Sequence, residues 1–130
     1  MRQLLFKICS IGLLLLASIS GSATSSVLLE DAEPEISTLD INGVMKYAMT
    51  QGLCQKVAKK KASDEEKVKL RDLFERMAEL DPPKGSKESW SSFTTPLVDA
   101  ANDIVDGNDA YKQLRKAANC TKCHRAHRTK

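Results

Sequence analysis

The chain has 130 residues, 42% of them hydrophobic and 28% charged, and its 20 basic and 17 acidic side chains leave a formal charge of +3. This length holds one domain and little else. Setting aside a leader that carries Arg2 and Lys7 brings the net charge to about +1, which excludes the strongly basic profile of a nucleic-acid binder.

The leader comes first. Arg2 and Lys7 flank the start of an apolar run from Ile8 to Ile19, interrupted by Cys9, Ser10, Gly12 and Ser18. Gly21-Ser22-Ala23 then offers the small side chains that a signal peptidase reads. Residues 1–23 are therefore predicted to be a secretory signal peptide. The run is shorter than the roughly 20 residues needed to cross a bilayer, and no second run follows, so no membrane span is expected after cleavage. An uncleaved anchor is the competing reading. No cysteine stands where a lipoprotein would be cut. The mature chain is expected to be periplasmic or otherwise exported. Residues 24–37, with Glu30, Asp31, Glu33, Pro34 and Glu35, read as an acidic flexible linker.

Residues 38–130 carry helical periodicity throughout. The first predicted helix opens at Asp40, a good N-cap. It runs along Ile41, Val44, Met45, Ala48, Met49, Leu53 and Val57 to Lys59-Lys60-Lys61, where positive charge suits a helix C-terminus. The second opens on Ser63-Asp64-Glu65-Glu66, a capping box. Its stripe is Leu70, Leu73, Phe74, Met77 and Leu80, and it stops at Asp81-Pro82-Pro83-Lys84-Gly85. The third carries Leu97, Val98, Ala101, Ile104 and Val105 and closes at Gly107. Pro96 either sits in its first turn behind Thr95 or lies inside a longer helix from near Lys87. The fourth begins at Asn108 or Asp109, carries Tyr111, Leu114, Ala117 and Ala118, and continues into a cysteine cluster. With no alternating strand pattern and only short connections, the expectation is an all-α fold, an antiparallel up-down-up-down four-helix bundle.

Cys120-Thr121-Lys122-Cys123-His124 is the attachment signature of c-type haem. On a helix, positions 120, 123 and 124 share a face. Each thiol can add to one vinyl group of the same porphyrin, and the His124 imidazole can reach the iron. An export signal agrees, because this attachment takes place outside the cytoplasm. Three other readings compete. A disulfide between cysteines three apart on a helix has poor geometry, and a thioredoxin-type redox pair belongs beside a strand. Zinc held by Cys120, Cys123 and His124 or His127 is the remaining one.

A CxxCH near the C-terminus, on the last helix of a four-helix pattern, resembles the class II cytochromes c, the cytochrome c-prime group. The string from Cys120 to Arg128 is similar to that group's ending, including a basic residue four positions after His124. It departs at His127, where the family often has an aromatic. Outside this string the resemblance, over residues 38–130, is one of pattern. It implies one covalent haem c, dimerisation through the first two helices, and a place for Arg128 near the His124 ring or a haem propionate.

In an antiparallel bundle the end of the last helix lies beside the start of the first. A sixth iron ligand should therefore come from early in the first helix. Met45 is one turn in and on the stripe, and Met49 is the next candidate, roughly 6 Å further along the axis. The resemblance implies the same choice: low-spin members use a methionine there, and high-spin members leave the iron open. A methionine on a helical stripe is otherwise core filler. His/Met ligation suits electron transfer, and an open iron suits binding of NO or CO. His127 is expected to be solvent-exposed, a propionate partner at most. Trp90, Phe74 and Tyr111 are expected in the core, and Cys54 is expected to be a buried small hydrophobe or an intersubunit disulfide partner.

The predicted function is a monohaem electron carrier, not an enzyme. After Asp109 there is no acid, while Lys112, Arg115, Lys116, Lys122, Arg125, Arg128 and Lys130 accumulate. That basic end, beside the site, would steer an acidic redox partner protein. A five-coordinate gas-binding cytochrome and a haem-free zinc bundle are the alternatives.

Overall fold

A computed structural model describes residues 33–129, so the predicted signal peptide, with Cys9, and residues 24–32 of the linker lie outside the described residues. Asp40 opens the first helix as its sequence position implies. Its carboxylate accepts from the Gly43 N–H at 2.7 Å, and α1 (Ile41–Met45) follows. The next turn, Lys46–Thr50, is wound wider: the Gln51 N–H reaches five residues back to the Lys46 carbonyl, at 2.9 Å. Gly52 then adopts φ +79°, a left-handed conformation that costs any residue with a Cβ about 1–2 kcal/mol. The chain restarts as α2 (Leu53–Ala58). The one helix expected from Asp40 to the lysine run is therefore broken at Gly52. Lys60 and Lys61 close α2 by donating to the Val57 and Lys56 carbonyls at 2.8 and 3.0 Å, with Lys60 itself at φ +60°.

The capping box forms in full. Glu66 N–H donates to Ser63 Oγ at 3.3 Å and Ser63 N–H to Glu66 Oε2 at 2.9 Å, opening α3 (Asp64–Glu79). The longer of the two readings holds for the next element, since α4 (Lys87–Val105) runs through Pro96. Proline removes the bond to the Ser92 carbonyl, and Ser92 and Pro96 are both exposed, so water can reach it. The end of α4 is closed by the Asn108 N–H on Asp103 O at 2.8 Å, next to Gly107. The last predicted helix is two: α5 (Tyr111–Ala117) and α6 (Cys120–His127). Asn119 interrupts them because its Oδ1 takes the Lys122 N–H at 3.1 Å, making it the N-cap of a new helix.

Every element among the described residues is helical, and none is long and apolar enough to cross a membrane. α3 packs on α4, α4 on α5, and α2 on both α3 and α5, while α1 lies against α3. Leu70, Leu73, Phe74 and Met77 of α3 and Leu114 of α5 are the buried centre, each worth about 1.5–3 kcal/mol of transfer. Trp90, buried on α4, donates its Nε1–H to the Met77 carbonyl at 3.1 Å.

Polar contacts tie the ends. Arg115 donates to the Ala58 carbonyl at 2.8 Å and Lys60 pairs with Asp109 at 2.9 Å, joining the end of α2 to the start of α5. At the opposite end Arg76 donates to the Leu39 carbonyl at 3.0 Å. The folded unit begins before the expected boundary at residue 38: Glu33 pairs with Lys69, and Ile36–Thr38 form a short tight turn against α3.

Candidate functional site

Cys120, Cys123 and His124 occupy the first turn and a half of α6, on the single face their spacing implies. They border open space. A cavity of about 790 Å³ lies between the start of α1 and α6, within the range of cofactor pockets, about 300–1,000 Å³. Ile41, Met45, Met49, Leu80 and Trp90 form much of its apolar wall, and Cys123, His124 and Arg128 border it from the other side. A smaller cavity of about 60 Å³ continues inward, bounded by Met77, Phe93 and Leu97 and by Cys120. Met45, Met49, Cys123 and His124 line both. Met45, Met49, Cys120, Cys123, His124 and Arg128, all singled out from the sequence, thus border this space, although the two methionines come from the far end of the chain. Met45 and Met49, four residues apart, share one side of the first helix, so both candidate methionines face it.

Cys54, Cys120 and Cys123 are all free. Burial first, and the neighbouring Cys120 second, push the Cys123 thiol above its ordinary value. Cys54 is buried, as expected, and the same two causes push it up to about 11.

His127 differs from its sequence expectation. It is 2% exposed, the only buried residue of α6. Its Nδ1 lies 2.6 Å from the Lys84 carbonyl, which can only accept, so Nδ1 carries the proton. Nε2 faces Ser89 Oγ at 3.1 Å. The ring meets Trp90 and Phe93 edge-on, with centroids 5.2 and 5.5 Å apart. It fills an aromatic slot and has no free nitrogen to offer a propionate or a metal. Among the described residues, no three His, Cys, Asp or Glu side chains converge as metal ligands.

Three contributors escaped the sequence reading. Asn119 as a cap had a signal, an Asn immediately before the motif. Met77 and Phe93 as cavity walls had none, because stripe residues do not declare which neighbour they meet. No family model matches the chain, and no curated protein or solved structure matches it.

Proposed function

We propose that this chain is an exported monohaem cytochrome of the class II type, an electron carrier whose iron takes His124 and Met45 as ligands. One observation carries the reading: Met45, from the first helix, lines the same cavity as Cys123 and His124 of the last. The CxxCH alone speaks for attachment. The convergence adds a cavity of suitable size and a soft thioether across it.

The residues fit the group. Cys120 and Cys123 would hold haem through thioether bonds, and His124 would be the ligand fixed by the motif. When bound, haem supplies a one-electron iron couple. The chain's own part is to exclude water with Trp90, Leu80 and the two methionines, and to leave Arg128 at the cavity border for an anionic substituent. The up-down-up-down four-helix bundle belongs to this proposal, with α1 and α2 as one broken helix and α5 and α6 as another. It is supported by the end-to-end ties, which bring the end of α2 to the start of α5 and the start of α1 to α6.

Lys112, Lys116, Lys122, Arg125 and Arg128 are exposed along α5 and α6 and beyond. They supply a cationic face beside the cavity for an acidic redox partner, so transfer rates should fall as salt rises.

Two measurements test the reading. A denaturing mass of the mature chain should exceed the polypeptide mass by one haem; the bare polypeptide mass would defeat it. The spectrum of the reduced protein should be unchanged by CO. A CO-induced change in the wild type would replace electron transfer through a His/Met iron with the five-coordinate, gas-binding alternative.

A further inference from the structure

An eight-residue helix has little stability of its own, since isolated helices shorter than about 12–15 residues are marginal in water. α6 does not compensate by packing, because it is in none of the close helix pairs of the fold. Its first turn borders open cavity, and six of its eight residues are exposed or carry the cysteine motif. Cys123 packs against the core while half-buried, and one side chain, His127, makes the hydrogen bonds that reach α4 and the connection before it. His127 reaches across to the α3–α4 connection, donates to the Lys84 carbonyl at 2.6 Å and meets Ser89 Oγ, at the start of α4, at 3.1 Å. Trp90 and Phe93 hold the ring edge-on from one turn of α4. The connection is shaped to receive it: Gly85, at φ +85°, lies so close that a Cβ there would stand 3.0 Å from Nδ1. No such Cβ contact is normally tolerated without movement.

We propose that His127 is a positioning residue, a latch that docks α6 onto the α3–α4 corner and so sets where His124 and the two thiols stand relative to Met45. The functional half of this inference rests on the haem reading above; the docking itself does not. A phenylalanine in the slot would keep the edge contacts and lose both hydrogen bonds. The pairing therefore does more than fill space: two directional bonds fix the rotation of α6 about its own axis, and His124 lies three residues away on that helix.

The test uses the full mature chain as purified, with haem content read by denaturing mass. Ser89→Ala removes the Nε2 partner, His127→Phe removes both bonds, and His127→Ala removes bonds and ring. Amide hydrogen exchange is followed at Cys123 to Arg128, with the amides of α3 as an internal reference. Loss of one hydrogen bond should speed α6 exchange by roughly 2- to 10-fold, so Ser89→Ala, His127→Phe and His127→Ala should rise in that order while α3 stays put. In the haem-bearing protein the same order should appear in the fraction of reduced protein that reacts with CO, as Met45 loses register with the iron. Unchanged α6 exchange in His127→Phe overturns the latch, and so does an equal rise in α3 and α6, which marks an ordinary core residue. Graded α6 exchange with no change in CO reactivity or midpoint potential overturns the positioning role. A chain without covalent haem overturns the haem reading and the functional half together, and the exchange series alone then decides the docking.

Discussion

Gly85 and Gly52 offer a matched pair. Both sit in the left-handed region, at φ +85° and +79°, so replacing either by alanine incurs the same backbone penalty of about 1–2 kcal/mol. They differ in what the new methyl meets. At Gly52 nothing lies within 4 Å, whereas at Gly85 the Cβ would stand 3.0 Å from His127 Nδ1 and 3.1 Å from Cε1. The ring cannot retreat without lengthening its bonds to Lys84 and Ser89, each worth about 0.5–1.5 kcal/mol. Gly52→Ala should therefore cost about 1–2 kcal/mol and Gly85→Ala about 2–5 kcal/mol. For a domain of this size each kcal/mol lowers Tm by about 4–8 °C. Paired thermal and urea denaturation of the full chain measures the difference. Equal losses for the two variants would refute the reasoning, because the His127 contact would then carry no energy.

The other expectations follow from single side chains. Met45→Ala should make the reduced, haem-bearing protein react with CO, while Met49→Ala should leave the spectrum as it was; the reverse pattern would assign the ligand to Met49. Cys54, whose folded pKa is raised to about 11 from an ordinary value of 9.0, keeps its full contribution below pH 9 and loses it as pH rises toward 11, because the unfolded chain ionises first. That amounts to a few kcal/mol. Stability of the wild type should accordingly fall faster than that of Cys54→Ala between pH 9 and 11, and parallel curves would count against it. Trp90→Phe leaves the ring contacts largely in place and removes the donor to the Met77 carbonyl. A loss of about 1–3 kcal/mol in urea unfolding is expected, and a neutral result would show that carbonyl to be satisfied by its own helix.

The elements that carry the core were legible because several local signals agreed. Ser63 and Glu66 set the start of α3, and Leu70, Leu73, Phe74 and Met77 repeat at helical spacing and are all buried. The candidate motif stands out for a chemical reason, since two thiols and an imidazole at that spacing are the attachment pattern of c-type haem. His127 was misread because polarity and a basic, C-terminal neighbourhood argue for exposure. Its burial depends on Lys84 and Ser89, more than thirty residues away in sequence, which supply both hydrogen bonds a buried imidazole needs. Periodicity cannot report such a partner.

The departures from regular helix are also unevenly placed. α3 and α4, which form the largest packed pair, run unbroken, even through Pro96. The two predicted helices that supply the site are the ones that break, at the wide turn and Gly52 on one side and at Asn119 on the other. Wide turns of this kind cost regular bonding and concentrate at functional sites. Here the geometry gives a reason. An unbroken first helix would tie Met45 and Met49 to the direction of α2, and an unbroken last helix would tie the cysteines to the direction of α5. Breaking both lets the cavity walls be oriented separately from the core that stabilises the fold, with α6 fastened at its far end by His127. Local rules hold through the core that α3 and α4 build, and they give way around Met45 and Cys120, where the chain borders the cavity.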